Sequence, residues 1–312
     1  MGQTNWTDAG GYLANAPLSK EMRNQARPDY IWRQFAKVNM GLGAKKGSSI
    51  DFTKKLKIDT RGGTLIETTT MPSNEIKFVT DSITVTEYGN AVECTEKVLT
   101  LSQFTLDDEL NASLVEDQVD TIDATIGAVF KEAEFIAVCS ATNTTEFTTD
   151  GVATVTATVN PSDKNIRKIV QYMKKANIPM LGKYYIGMFS VEALGGVYDY
   201  LQAIAQYAEP SFRLNSEIGR YYDVRFIEEN SVLSNVVGST SLLGEAIMFG
   251  EDAVAEAVAL PEELRYDVDD MGRSHKYAWY GILGWKKVWS LASDDTNSTG
   301  KGLERIVYIT SA

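Results

Sequence analysis

The sequence predicts an α+β fold in which long strands flank a middle segment of alternating strands and helices. Three observations indicate this fold. A glycine-flanked stretch of β-type sequence runs from 44 to about 100. A pattern of apolar residues spaced by threes and fours follows it, which is typical of an amphipathic helix. Strongly β-type sequence then returns at 274–290, and no internal repeat interrupts this order.

The first β-type stretch is predicted to form an extended ribbon. Its strands are expected at 49–58, 64–69 and 75–87, and apolar residues alternate with polar ones at Ile76 and Phe78. A ribbon that buries one thin apolar face is marginal alone and needs a partner surface. The ribbon therefore indicates assembly rather than catalysis.

Two long helices are predicted in the first half of the chain. The pattern predicts one helix over 19–37, which ends before the glycines that follow. A second helix is expected from Thr105 to Ser140, which corresponds to roughly 50 Å at the α-helical rise. Thr105 and Asp108 approximate a capping box at its start.

The middle and end of the chain contain shorter elements. A strand ending at 309 is predicted to close the fold. The expected elements are a hairpin over 143–158 around Asp150 and Gly151, a helix over 161–176 capped by Asn160, strands over 183–189, 222–227, 246–249 and 304–309, and a helix over 191–207.

Composition indicates a folded, acidic protein. The chain has 312 residues, 44% of them hydrophobic, which suits one large domain or two closely joined ones. Its formal net charge is −12. A uniformly acidic protein is a poor general binder of nucleic acid, because phosphate contacts need clustered Lys and Arg.

The charge is unevenly distributed along the chain. Residues 1–46 hold seven basic and three acidic residues, whereas 93–123 hold nine acids and 251–270 hold eight, each with one basic residue. This asymmetry predicts that a basic arm docks on an acidic body, within one subunit or between neighbours. The alternative is that each cluster is an ordinary solvated face.

The two cysteines and the chain's start predict an intracellular protein. Cys94 and Cys139 are in apolar settings with no metal-ligand spacing, so we expect reduced thiols rather than a disulfide. Residues 1–11 are polar and do not read as a signal peptide. No segment is long and apolar enough to read as a transmembrane helix.

Catalytic and metal sites find little support. Nucleophilic triads and zinc sites need histidine, and the chain has only His275, which is predicted to lie on the surface. Glycines 41, 43 and 47 precede a strand rather than a helix, so a hinge is expected instead of a dinucleotide loop. Asp267 and Asp269 resemble the start of a calcium loop that lacks its later ligands. Weak cation binding at Asp269 and Asp270 remains an alternative.

The tryptophans are expected in the core. Trp279, Trp285 and Trp289 are at odd positions, which share one face of a regular strand. A carbohydrate platform that includes Trp6 and Trp32 is the alternative. Carboxylates are plentiful, so a carboxylate-based hydrolase also stays open as a function.

The order of segments resembles a known family. Local runs that carry the resemblance are YIGMFSVEAL at 185–194, MFGEDAVAEAVAL at 248–260 and GILGWK at 281–286. The chain resembles the major capsid proteins of tailed double-stranded DNA bacteriophages, which have the Hong Kong-type capsid fold, and within them a podovirus-like branch. The resemblance covers nearly the whole chain.

The resemblance implies a division of the chain into five segments. These are an N-terminal arm at 1–43, an extended β loop with an adjoining strand at 44–100, a peripheral domain with a spine helix at 101–159, an axial domain at 160–250, and a C-terminal β segment at 251–312 that returns to the peripheral domain. By this likeness the protein is a major capsid protein, a structural subunit of an icosahedral shell. It would have no enzymatic activity, catalytic residue, cofactor or metal.

The resemblance also implies partners and a location. The subunit would bind itself in hexameric and pentameric capsomers, and it would bind a portal, a decoration protein and a scaffolding protein. The scaffolding protein is expected to be separate, because no additional domain precedes the arm. The shell would assemble in the host bacterial cytoplasm, without a membrane, and enclose double-stranded DNA without sequence-specific binding. Encapsulin-like compartments share the fold and are the alternative.

One branch of this fold joins Lys and Asn side chains of neighbouring subunits covalently. Lys54, Lys55, Lys57 and Asn297 are present in this chain. No surrounding pattern supports the crosslink, so that chemistry is not expected here.

Overall fold

The structure is a computed structural model. It describes residues 31–39, 47–56, 58, 62–68, 70–71, 73–102, 106–205, 217–238, 242–291 and 304–312. Several sequence predictions lie outside the described residues, namely those on most of the first helix, Trp6, Gly41, Gly43, Lys57, Thr105 and Asn297.

The described residues form strands and helices in the following order. The strands are β1 (Ala36–Asn39), β2 (Ser49–Lys55), β3 (Phe78–Thr84), β4 (Thr86–Thr95), β5 (Phe135–Ala141), β6 (Thr144–Thr148), β7 (Tyr185–Phe189), β8 (Glu217–Tyr221), β9 (Val224–Glu228), β10 (Val236–Val237), β11 (Leu243–Gly244), β12 (Ala246–Phe249), β13 (Val254–Asp269), β14 (Ser274–Lys287) and β15 (Ile306–Ile309). The helices are α1 (Glu96–Leu101), α2 (Leu106–Lys131), α3 (Asp163–Lys175) and α4 (Val191–Ala205).

Two large sheets organise these elements. One sheet has seven strands in the order β6-β5-β15-β12-β7-β9-β8, and the other has four in the order β1-β13-β14-β4. Two short ladders, β2-β3 and β10-β11, accompany them. The mixture of sheets and helices confirms the predicted α+β class.

The seven-stranded sheet is buried on both faces. Along β7, Ile186 and Met188 pack toward α2, whereas Tyr185 and Phe189 pack toward α3 and α4. Successive side chains of a strand point to opposite faces, so a strand covered on both sides reads as a continuous apolar run. The layers are therefore helix, sheet and helix, with a core on each side of the sheet.

Helix α2 joins the two sheets. Its 26 residues span about 39 Å. Near its start Leu114 packs on Tyr277 and Trp279 of the four-stranded sheet. Farther along, Ile126 and Phe130 belong to the core beneath the seven-stranded sheet. One apolar stripe thus holds both sheets.

Helix α2 is shorter than the sequence predicted. It ends at Lys131 rather than at Ser140, and Phe135–Ala141 forms β5 in the seven-stranded sheet. The prediction was wrong because Phe135 to Cys139 are all buried. A continuous apolar run carries no period that separates a buried strand from a buried helix.

The described end of the first predicted helix is not helical. Arg33–Phe35 is a single 3-10 turn, and Ala36–Asn39 is a strand that pairs in parallel with the start of β13. The prediction of helix through Lys37 was therefore wrong. Tertiary hydrogen bonds to β13 and to Asp123 overrode the local pattern.

The longest strand, β13, was missed. Val254–Asp269 pairs with β14 over most of its length, with irregularities between Val258 and Glu263. Pro261 lies within this irregular stretch, where a missing N–H donor is tolerated. The alanines and glutamates at the start of β13 favour helix by intrinsic propensity, which conceals the strand.

Predictions for the later elements mostly held. Helices α3 and α4 are confirmed, with ends within a few residues of those predicted. The same holds for four strands, namely Tyr185–Phe189, Ala246–Phe249, Ser274–Lys287 and Ile306–Ile309. The cap of α3 is Ser162, whose hydroxyl accepts from the backbone N–H of Asn165, rather than Asn160.

Two β predictions were wrong in extent. Of the predicted hairpin over 143–158, only Thr144–Thr148 is a strand, and it pairs with β5. In the ribbon, Ser49–Lys55 pairs with Phe78–Thr84, while the described residues from 62 to 68 form no strand. A polar segment of β-type sequence forms a strand only where a neighbouring strand is available to pair with it.

The role of α2 as a shared core element predicts a large, position-specific cost of truncation. Ile126 is fully buried, so Ile126→Ala should lower the free energy of unfolding by about 3 kcal/mol. Val115 on the same helix is 41% exposed, and Val115→Ala should change the free energy of unfolding by less than about 0.5 kcal/mol. Urea unfolding of the unassembled subunit measures both, and equal effects would contradict the packing described.

Candidate assembly surfaces

The root of the ribbon is packed against the body. Ile83 of β3 is fully buried and forms a small core with Ala255 and Val288, to which Ile50 and Phe52 add partial cover. These contacts connect the β2-β3 ladder to the beginning of β13 and the end of β14. The ribbon therefore leaves the body from a fixed base.

A buried ion network reinforces this base. Lys54 is 4% exposed, and its ammonium contacts the Asp81 carboxylate at 3.3 Å and the Val288 carbonyl at 3.0 Å. Lys286 reaches the other oxygen of Asp81 at 2.5 Å. Burial opposes ionisation of Asp81, but hydrogen bonds from Lys286 and Ser82 and the charges of both lysines outweigh it, so its pKa is lowered.

The far part of the ribbon presents apolar side chains to solvent. Leu65, Ile66, Met71 and Phe78 are 56%, 68%, 70% and 62% exposed. A cluster of large exposed apolar residues in one segment is characteristic of a binding surface rather than of a monomer's ordinary surface. We name these four residues the ribbon strip.

A second apolar strip lies on the β13-β14 hairpin. Within the described residues, β1 pairs with Val254–Ala257 and no strand lies on the outer side of β13 beyond Ala257. Leu264, Tyr266 and Val268 alternate along this free edge and are 48%, 56% and 43% exposed. An open edge with apolar side chains is a template for contact with another chain. We name these three residues the edge strip.

The tip of this hairpin contains the former calcium-loop candidate. Asp269 accepts a hydrogen bond from the backbone of Asp270 and pairs with Lys276 at 3.1 Å. Asp270 and Met271 have positive φ angles of 50° and 56°, as a tight turn requires. In the part of the chain that the structure describes, no group of three His, Cys, Asp or Glu residues is arranged to hold a metal.

The described end of the arm docks on the body through charge. Asp123 of α2 accepts backbone N–H bonds from Ile31, Trp32 and Arg33, the shortest being 2.8 Å. Burial raises the pKa of Asp123 even though these donors favour its carboxylate. The Arg33 guanidinium contacts Glu256 at 2.8 Å and also Glu262. The predicted docking of a basic arm on an acidic body is confirmed for these residues, within one subunit.

Several acids of α2 also have structural roles. Asp107 accepts from the Tyr277 hydroxyl at 2.5 Å, and Asp117 accepts from the Trp279 indole at 2.8 Å. These bonds attach the start of α2 to the four-stranded sheet. Part of the acidic cluster at 93–123 therefore forms hydrogen bonds within the chain and is not simply a solvated surface.

His275 is not an exposed surface residue. Its side chain is 12% exposed and lies between the Glu96 carboxylate, 2.7 Å from Nε2, and the Tyr266 hydroxyl, 2.5 Å from Nδ1. The surface prediction was wrong because the side chains of Glu96 and Tyr266 cover the imidazole. The hydroxyl that contacts the imidazole is the phenol of Tyr266 rather than the hydroxyl of a serine or threonine.

The cysteines are free, as predicted, and poorly suited to nucleophilic chemistry. Burial raises the pKa of the Cys139 thiol to about 11. Partial burial and nearby acids, first among them Asp107, also raise the pKa of Cys94. A raised pKa keeps a thiol protonated and unreactive at neutral pH.

The tryptophans of β14 are core residues, as predicted. Trp279 and Trp285 are 1% and 8% exposed. Trp279 packs with Leu114 of α2, and Trp285 belongs to the core beneath the seven-stranded sheet. Neither presents a face to a carbohydrate. Within the described residues, none of the helices combines the length and apolar character needed to cross a bilayer.

Comparison with known proteins identifies the fold. No protein-family model and no curated protein matches the sequence. Among solved structures, the chain is similar to the capsid of Ralstonia phage GP4, with a TM-score of 0.69, 14% identity, and 100% of this chain and 98% of that chain covered. The chain is also similar to the head of Helicobacter pylori bacteriophage KHP40, with a TM-score of 0.69, 12% identity, and 99% of this chain and 98% of that chain covered. For the capsid of cyanophage Pam1 the TM-score is 0.67 and the identity 14%, with 97% of this chain and 99% of that chain covered. The predicted phage capsid fold is therefore confirmed.

The ion network at the ribbon root predicts a strong effect of Asp81→Asn. The substitution removes the negative charge that faces the buried ammonium of Lys54 at 3.3 Å, which should cost about 3 kcal/mol of unfolding free energy. Asp51→Asn, on the exposed side of the same ribbon, should cost less than about 0.5 kcal/mol. Denaturant unfolding compares the two variants, and a harmless Asp81→Asn would show that apolar contacts alone hold the root.

Proposed function

We propose that this protein is the major capsid protein of a tailed bacteriophage. In this function, copies of the chain assemble into an icosahedral shell that encloses double-stranded DNA. Full-length likeness to phage capsids supports the proposal. The observation that carries it is the pair of exposed apolar strips, one on the ribbon and one on the hairpin edge.

The two strips are suited to contacts between copies. The ribbon root sits at the level of Ala255, whereas the edge strip is centred on Tyr266, about 35 Å farther along the strand. Different surfaces at separate places favour head-to-tail contacts, which close into rings and then into a shell. A ribbon that packs on a neighbour adds interface area without enlarging the core.

The proposal includes the division into arm, extended loop, peripheral domain, axial domain and returning C-terminal segment. The four-stranded sheet with the start of α2 corresponds to the peripheral domain, and α3 and α4 to the axial domain. The seven-stranded sheet spans the proposed boundary at residue 160, because β5 and β6 precede this residue in the chain and the other five strands follow it. We further propose hexameric and pentameric capsomers, a separate scaffolding protein, a portal, a decoration protein, a virion location and no enzymatic activity.

An encapsulin-like compartment is the second candidate, because such shells share the fold. The two functions differ in contents, not in subunit architecture. Purified particles that hold an enzyme bearing a docking tail would favour the compartment. Particles that assemble with a scaffold and take up DNA through a portal would favour the phage shell.

Deletion of residues 62–74 tests the role of the ribbon. Because this segment carries three of the four ribbon-strip residues, the deletion should leave a folded, soluble subunit that fails to complete a shell. Negative-stain microscopy and gel filtration measure the outcome. Normal particles from the deletion variant would refute the assignment of the ribbon to assembly.

A point substitution makes the same test with less disturbance. Ile66→Asp places a charge on the ribbon strip and should reduce particle yield at least tenfold, because burying an unpaired charge costs several kcal/mol. Val152→Asp is the matched control, since Val152 is 58% exposed on another loop. Equal yields from the two variants would count against a ribbon contact.

The acidic composition predicts weak attraction between shell and DNA. With a net charge of −12 per subunit, assembled shells should retain little duplex DNA at physiological salt. Co-sedimentation of empty shells with labelled DNA measures this. Strong binding that falls steeply with added salt would contradict the expectation of repulsion.

A further inference from the structure

Three charged side chains form a buried cluster at the joint between the two sheets. The Lys287 ammonium lies 2.9 Å from the Glu304 carboxylate and 3.2 Å from the Glu134 carboxylate. It also donates to the Glu132 carbonyl at 3.0 Å. The Glu304 side chain is fully buried, and those of Glu134 and Lys287 are 17% and 10% exposed.

The cluster connects elements of different sheets. Lys287 ends β14 of the four-stranded sheet, whereas Glu134 immediately precedes β5 and Glu304 lies two residues before β15 of the seven-stranded sheet. Glu134 also accepts from the Ser290 hydroxyl and from the Leu291 backbone at 2.5 Å. A change in the charge of this cluster therefore acts on the connection between the sheets.

Among the described residues, the Lys287 ammonium faces both carboxylates. When Glu304 is ionised, its charge is fully buried beside a second carboxylate, which is costly. One proton on Glu304 removes that charge and leaves Lys287 paired with Glu134. Two carboxylates that share a site commonly titrate in this way, with one of them held protonated.

We propose that Glu134, Lys287 and Glu304 form a proton-binding joint that is firm with one proton bound and weaker without it. Each oxygen of Glu304 has a partner, because Oε1 accepts from the Ile306 backbone at 3.1 Å and Oε2 from Lys287. These contacts hold the carboxyl group in position but favour its ionised form, so burial beside Glu134 is what makes the proton bind. The inference goes beyond shell formation and does not depend on it.

The electrostatics agree with this arrangement. Burial raises the pKa of Glu304 to about 7, against the lowering effect of Lys287 and with a smaller raising effect of Glu134. The folded protein thus binds the proton more tightly than the unfolded chain does. Stability from this group is greatest below its usual pKa of 4.5 and is lost as pH rises through about 7.

The experiment compares unfolding of the full chain at pH 5.5 and at pH 8. For the wild type, the urea midpoint should be higher at pH 5.5. Glu304→Gln keeps a neutral side chain at both pH values and should remove most of this difference. Asp123 also has a raised pKa, so the informative quantity is the difference between wild type and variant. Glu146→Gln, at an exposed position of β6, is the matched control and should behave as the wild type.

A second measurement keeps the test independent of the variant's stability. Infrared difference spectra of the folded wild type should show a carboxylic-acid carbonyl band that appears as pH falls through about 7. The band should persist in Glu146→Gln. Absence of such a band in the wild type, or an unchanged pH dependence in folded Glu304→Gln, would overturn the proposal. Failure of shell assembly alone bears on the proposed function and not on the joint.

Discussion

The subunit depends on one helix that covers two sheets at once. Helix α2 braces the four-stranded sheet through Leu114 and the seven-stranded sheet through Ile126. Close approach is needed along this helix, and at Gly127 a Cβ atom would lie 2.7 Å from the side chain of Val232. Since protein interiors tolerate little added volume, the relative position of the two sheets is fixed by packing.

Rigidity and exposure are divided along the ribbon. At its root, Ile83 is fully buried and Lys54 and Asp81 form a bridged pair. At its far part, Leu65 and Ile66 are more than half exposed. Removing one partner of such a buried pair is costly, so the network helps to hold the root in place. Under the proposed function, this fixed root presents the exposed apolar end to a neighbouring copy.

The sequence predicted the fold class, the core tryptophans and the ribbon, because period-2 and period-3.6 patterns survive where one face is exposed. It failed at Phe135–Ala141, where burial on both faces removes the period. It also failed at Ala36–Asn39, which is a strand only because β13 supplies hydrogen bonds from far along the chain. The joint around Glu304 joins residues distant in sequence, and no local spacing indicates that Glu134 and Lys287 meet there. Such sites follow from topology, which local patterns do not contain.

Under the proposed function, the open edge of β13 has a consequence for the chain before it assembles. A newly made subunit exposes a strand edge beside Leu264 and Tyr266 to every other chain in the cell. The irregularity around Pro261 limits such pairing near the strand's middle, and alternating charged residues such as Glu263 and Asp267 limit it farther along. Crowding of unassembled chains still leads toward amorphous aggregates through the same contacts that ordered growth requires. Whether a chain assembles or aggregates then depends on which contact forms first, one with a correctly oriented neighbour or one with a misplaced neighbour.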